Sequence, residues 1–137
     1  MGFDLHNSKG DYLRRSPTGW ALALNLAERY GWKPAGTSLH AGSDQASEDW
    51  DGQYDTNDGQ QVTEADSVAL ASALRNAVDD PQFPSQMRRL YSDLLGIPVR
   101  TGFLKLRWSL PLSEVNKLRD AMAEVAAFCE QGAFIIE

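Results

Sequence analysis

Residues 16 to 34 limit the fold more than any other stretch. Ser16-Pro17 opens a segment in which Trp20, Leu22, Ala23, Leu24, Leu26, Ala27 and Tyr30 leave only a narrow polar strip at Thr18, Asn25, Glu28 and Arg29. A helix that is apolar round most of its circumference has to be covered on several sides. Ser16 is placed to cap the free amides at its start, and Pro17 suits the first helical position, where a missing N–H costs nothing. Gly31 predicts a left-handed cap at its end, and Pro34 prevents its resumption. The rest of the chain must supply the cover.

Three further helical patterns are available to do so. Thr63-Glu64-Ala65-Asp66 is close to a capping box, with Asp where Glu is usual. Leu70, Leu74 and Val78 then repeat every fourth residue, with Ala71 and Ala77 beside them, up to Asp79-Asp80-Pro81. Pro84-Ser85 predicts the start of a third helix, in which Met87, Leu90, Tyr91, Leu94 and Leu95 form one stripe and Arg88, Arg89, Ser92 and Asp93 face outward; Gly96 is its expected cap, with Pro98 beyond. Ser113 is expected to cap the last helix. Its stripe is Val115, Leu118, Met122, Val125 and Cys129, widened by Phe128 and closed by Gly132.

The strand signals are shorter. Phe3 and Leu5 alternate with Asp4 and His6, Asn7-Ser8-Lys9-Gly10 has turn chemistry, and Tyr12-Leu13 can return as a second strand. Ala41 to Asp51 is polar, small and without period, and predicts a mobile loop. Gln53-Tyr54-Asp55, Thr56-Asn57-Asp58-Gly59 and Gln60-Gln61-Val62 together predict a tight hairpin. Leu104, Leu106 and Trp108 alternate with Lys105, Arg107 and Ser109, which fits a strand or a structured loop, and Ala133-Phe134-Ile135-Ile136 fits a short strand. Helices and strands do not alternate as βαβ units. The expectation is α+β: about four helices on a small sheet of short strands, one domain over residues 1–137, with the N- and C-terminal strands paired and the helices on one face.

Composition agrees with a single domain and narrows the partners. A chain of 137 residues with 42% hydrophobic and 23% charged residues is large enough to fold without a staple. The formal net charge of -6 repels nucleic acid and anionic membrane. Cys129 is the one cysteine, so no internal disulfide can form, which fits a reducing compartment. Met1 to His6 has neither the basic nor the apolar region of a secretory signal, His6 stands where a myristoylation signal has Ser or Thr, and no apolar run approaches membrane-spanning length.

Charge is segregated along the chain. Between Lys33 and Arg75 there is no Lys or Arg, and the span holds Asp44, Glu48, Asp49, Asp51, Asp55, Asp58, Glu64 and Asp66. Downstream, Arg88, Arg89, Arg100, Lys105 and Arg107 are opposed only by Asp93. Such a pattern describes a solvated loop beside a solvated helix, or an acidic surface for a basic partner or for this chain's own basic segment.

Catalytic motifs are lacking. Asp55 to Gly59 has the oxygens of a calcium loop but the glycine falls out of register, so neither a metal nor any cofactor is assigned. His6 and His40 have no metal-ligand spacing and no nucleophile beside them, and Ser16, Ser38 and Ser43 lack a nucleophile elbow. Cys129 sits on a core stripe next to Glu130, the wrong sign to stabilise a thiolate. No glycine-rich phosphate loop is present. Trp32, Trp50, Tyr54 and Trp108 either anchor loops to the core or line a pocket.

Gly31-Trp32-Lys33-Pro34-Ala35-Gly36-Thr37, then Trp50-Asp51-Gly52-Gln53-Tyr54 with Asn57-Asp58-Gly59-Gln60-Gln61-Val62, and last Phe128-Cys129-Glu130-Gln131-Gly132-Ala133-Phe134, occur in that order with an Ala/Leu-rich helix between the last two. The combination resembles a group of small uncharacterised bacterial proteins, loosely between residues 81 and 110. The resemblance implies a bacterial or phage origin and a cytoplasmic setting. These motifs are turns, caps and aromatic anchors, and the group has no established activity from which to transfer a catalytic residue.

The expected function is binding rather than catalysis. An acidic loop and hairpin, residues 44 to 66, would meet a protein with a basic surface through Asp49, Asp51, Asp55 and Asp58, with Trp50 and Tyr54 as apolar anchors. The alternative is a small-molecule enzyme or sensor with a pocket near the 32–54 loop, where His40 meets a carboxylate. A third option is a structural subunit that forms a homo-oligomer through a helix face.

Overall fold

Among the described residues four helices pack on a four-stranded antiparallel sheet, an α+β arrangement. It is seen in a computed structural model that describes residues 2–34, 54–56, 59–94 and 111–137. The first hairpin forms as expected: β1 (Phe3–Asn7) and β2 (Tyr12–Arg15) are antiparallel, with Leu5 opposite Leu13 and His6 opposite Tyr12. The Asn7 carboxamide oxygen accepts from the amides of Lys9 and Asp11 and so builds the turn from its own side chain.

The apolar segment forms α1 (Pro17–Arg29). The Gly19 amide donates to Ser16 Oγ at 3.0 Å, which is the expected cap. At the other end Gly31 adopts φ +90, the Gly31 amide donates to the Glu28 carbonyl, and the Trp32 amide reaches back to the Ala27 carbonyl. That pair of bonds satisfies carbonyls the last turn would leave open, and it needs a left-handed residue at position 31. Trp20, Leu22, Ala23, Leu24, Leu26 and Ala27 are all buried.

The remaining elements are β3 (Gln60–Val62), α2 (Glu64–Asp79), α3 (Phe83–Leu94), α4 (Leu112–Cys129) and β4 (Phe134–Ile136). Thr63 caps α2, its Oγ1 accepting from the Asp66 amide at 3.1 Å. Two boundaries differ from expectation. α3 begins at Phe83, one residue before Pro84, because Asp80 receives the Phe83 amide on its carbonyl and the Gln82 amide on its side chain. α4 begins at Leu112 with Pro111 as its capping residue and no side-chain cap, so Ser113 lies in the first turn. Pro111 holds φ -61 and ψ 152, and its carbonyl already accepts from the Val115 amide, which puts the capping position two residues before Ser113.

The strand order is β2-β1-β4-β3, so the N- and C-terminal strands do pair, and β4 lies between β1 and β3. The hairpin expected across residues 53–62 is not the pairing β3 makes. Tyr54–Thr56 carries no strand, and β3 pairs with β4, Gln61 opposite Ile135. Leu13, Leu5, Ile136 and Gln60 form one row across the inner face; Tyr12, His6, Ile135 and Gln61 form one row across the outer face. The inner row is buried, and full burial of side chains such as Leu5 and Ile136 contributes about 1.5–3 kcal/mol each.

Trp20 joins the layers, its ring 6.3 Å from those of Phe3 and Phe134, and Phe128 of α4 meets Phe134 edge-on at 5.3 Å. Between α2 and α4 the buried Ser67 hydroxyl donates to the Cys129 carbonyl at 2.8 Å, and Arg75 closes the rim with two bonds to Glu130. The expectations for the loop at 41–51, the turn at Asn57-Asp58, the cap at Gly96 and the alternation over 99–110 lie outside the described residues.

Candidate functional site

The acidic stretch is tied to the fold at Asp66, in the first turn of α2. Trp32, just before the stretch, donates its indole N–H to the Asp66 carbonyl at 3.2 Å. Tyr54, beyond its middle, donates its hydroxyl to Asp66 Oδ2 at 2.7 Å. The Tyr54 carbonyl accepts from the Trp20 indole at 2.7 Å, and the Trp32 and Tyr54 rings lie 6.2 Å apart. All four residues are buried. Sequence-distant positions 32 and 54 are thereby held side by side.

These contacts revise the candidate surface. Tyr54 is 2% exposed, with its ring in the core and its hydroxyl on Asp66, so it is an anchor for the chain itself and not an apolar contact for a partner. Burial pushes its hydroxyl pKa well above the ordinary tyrosine value, and the Asp66 carboxylate adds to the effect. Asp66 is 5% exposed and leaves the acidic surface for the same reason. Asp55 and Glu64 are exposed and remain on it. Asp49, Trp50, Asp51 and Asp58 lie outside the described residues, as does His40, on which the pocket near the 32–54 loop depends.

Sequence reasoning counted Asp66 as one acid among eight. The available signal was its position: an acid three residues after a capping Thr is held close to the helix start, where exposed amides and the helix dipole favour a carboxylate. What the pattern does not disclose is that Tyr54 reaches it from outside the helix.

Several other titratable groups among the described residues are engaged structurally. Cys129 is fully buried, and burial pushes its thiol up to about 12, so the thiolate required of a nucleophile is disfavoured. His6 lies on the outer face with Nε2 3.6 Å from Glu137 Oε2 and its ring 5.1 Å from that of Tyr12. The Tyr12 hydroxyl donates to Asp4, whose carboxylate lies 3.9 Å from Arg14. Asp93, the lone acid amid the downstream basic residues, is bonded to Arg29 of α1 at 2.9 Å. Among the described residues no group of three or more His, Cys, Asp or Glu side chains is arranged to hold a metal ion, and no helix is long and apolar enough to cross a membrane.

The outer face of the sheet also carries a shallow, open depression of about 360 Å3 beside His6, Ser8, Gln61, Thr63 and Ile135. Thr63 is occupied there in capping α2. The floor is mostly apolar, and neither a nucleophile–base pair nor a cluster of charge converges on it.

Compared with protein families, with known proteins and with solved structures, the chain matches none.

Proposed function

We propose that the protein is a non-enzymatic interaction protein whose acidic segment, residues 44 to 66, meets a protein partner with a basic surface. The observation that carries this reading is the charge pattern: eight acids and no Lys or Arg between Lys33 and Arg75. Two features support it. Asp55 is exposed directly beside the buried Tyr54, so acidic charge stands at the surface next to a fixed point. Trp32 and Tyr54, on either side of residues 35–53, are both bonded to Asp66, so these two points of the chain are fixed relative to one another.

In this reading Asp49, Asp51, Asp55 and Asp58 supply the field that steers a basic partner, Trp50 supplies an apolar contact, and Tyr54 fixes the chain next to Asp55. A cluster of like charge acts mainly on the association rate and on its sensitivity to salt. A cytoplasmic, bacterial or phage setting follows from the sequence resemblance and belongs to the same proposal.

The test is reversal of charge at Asp49, Asp51 and Asp55 together. With a partner isolated from the source cell, the triple variant should keep the wild-type melting temperature within a few degrees and associate at least tenfold more slowly at low salt. The difference should shrink as salt is raised through the range where the Debye length falls from about 30 to about 8 Å. An unchanged association rate overturns the acidic-surface reading.

A further inference from the structure

We draw no further inference here: the strongest candidate, the shallow depression on the outer face of the sheet beside His6, Ser8, Gln61 and Ile135, is a mostly apolar groove and nothing in the structure shows what covers it.

Discussion

The hydroxyl of Tyr54 donates to Oδ2 of Asp66 across 2.7 Å inside the core. The two residues belong to different kinds of structure, an irregular segment and the first turn of a helix, and the bond links them. Tyr54→Phe removes the donor and keeps the ring. The expected cost is about 1–3 kcal/mol, the range for a buried hydrogen bond lost on one side. Urea unfolding should show a lower midpoint with an unchanged slope. A variant as stable as wild type would show that the bond contributes nothing net.

Alkali should act on the tyrosines in a defined order. The Tyr30 hydroxyl donates to Asp80 Oδ2 at 2.6 Å, and burial followed by that carboxylate pushes its pKa up to about 12. A group raised in the folded state contributes stability fully below its unfolded value of about 10 and loses that contribution as pH climbs through the folded value. Stability should therefore fall between pH 10 and 12, and less steeply in Tyr30→Phe. Ultraviolet titration of tyrosinate should show Tyr54 ionising after Tyr30, together with unfolding. Early ionisation of every tyrosine in the folded protein would contradict this.

Acid should act at Asp80 and Glu130. The Tyr30 hydroxyl, then the Gln82 amide, hold the Asp80 carboxyl below its ordinary range, and Arg75 does the same for Glu130. Both contributions are present above the unfolded carboxylate value of about 4 and fade as pH drops below it. Asp80→Asn should lower the melting temperature at pH 7 and make little difference at pH 2. A constant difference at both would place the effect in packing instead of charge.

Cys129 should be silent toward thiol reagents while the protein is folded. With its thiol buried and raised to about 12, labelling by a disulfide reagent at pH 8 should follow the opened fraction of molecules and rise with urea along the unfolding curve. Rapid stoichiometric labelling without denaturant would contradict the placement of Cys129 between α2 and α4.

Gly31 isolates a backbone effect. It adopts φ +90, and a Cβ built there meets nothing within 4 Å. Gly31→Ala should cost about 1–2 kcal/mol through left-handed strain alone, and Gly31→Asn less, since Asn tolerates that region. Equal stability of all three chains, measured in urea, would contradict the left-handed cap.

Local chemistry explains why some features could be read in advance. Ser16, Thr63 and Gly31 act within a few residues of themselves, so their caps were legible in the sequence. The two terminal strands were legible as well, the first from the alternation of Phe3 and Leu5 with Asp4 and His6 and the last from the apolar run Ala133 to Ile136, and they pair as expected. Ser113 was misplaced because Pro111, with its fixed φ and an acceptor carbonyl, starts the helix first. The hairpin over residues 53–62 failed for a non-local reason. β3 pairs with β4 at the edge of the sheet, and Tyr54, in the expected first strand of the hairpin, is instead held in the core by Trp20, Trp32 and Asp66. For the candidate site, the abundance of acid was legible and the inward turn of Tyr54 and Asp66 was not, because burial depends on which elements meet.

The position of β4 also sets a timetable. It follows β1, β2 and β3 in the sequence, yet in the sheet it separates β1 from β3, so those two strands are not joined until residues 134–136 are in place. A nascent chain can form the β1–β2 hairpin and its helices early, but the inner faces of Val62 and Leu5 wait for one late insertion. Closing the sheet is thus a long-range event, the kind that slows folding and leaves apolar strands open to wrong partners in the meantime.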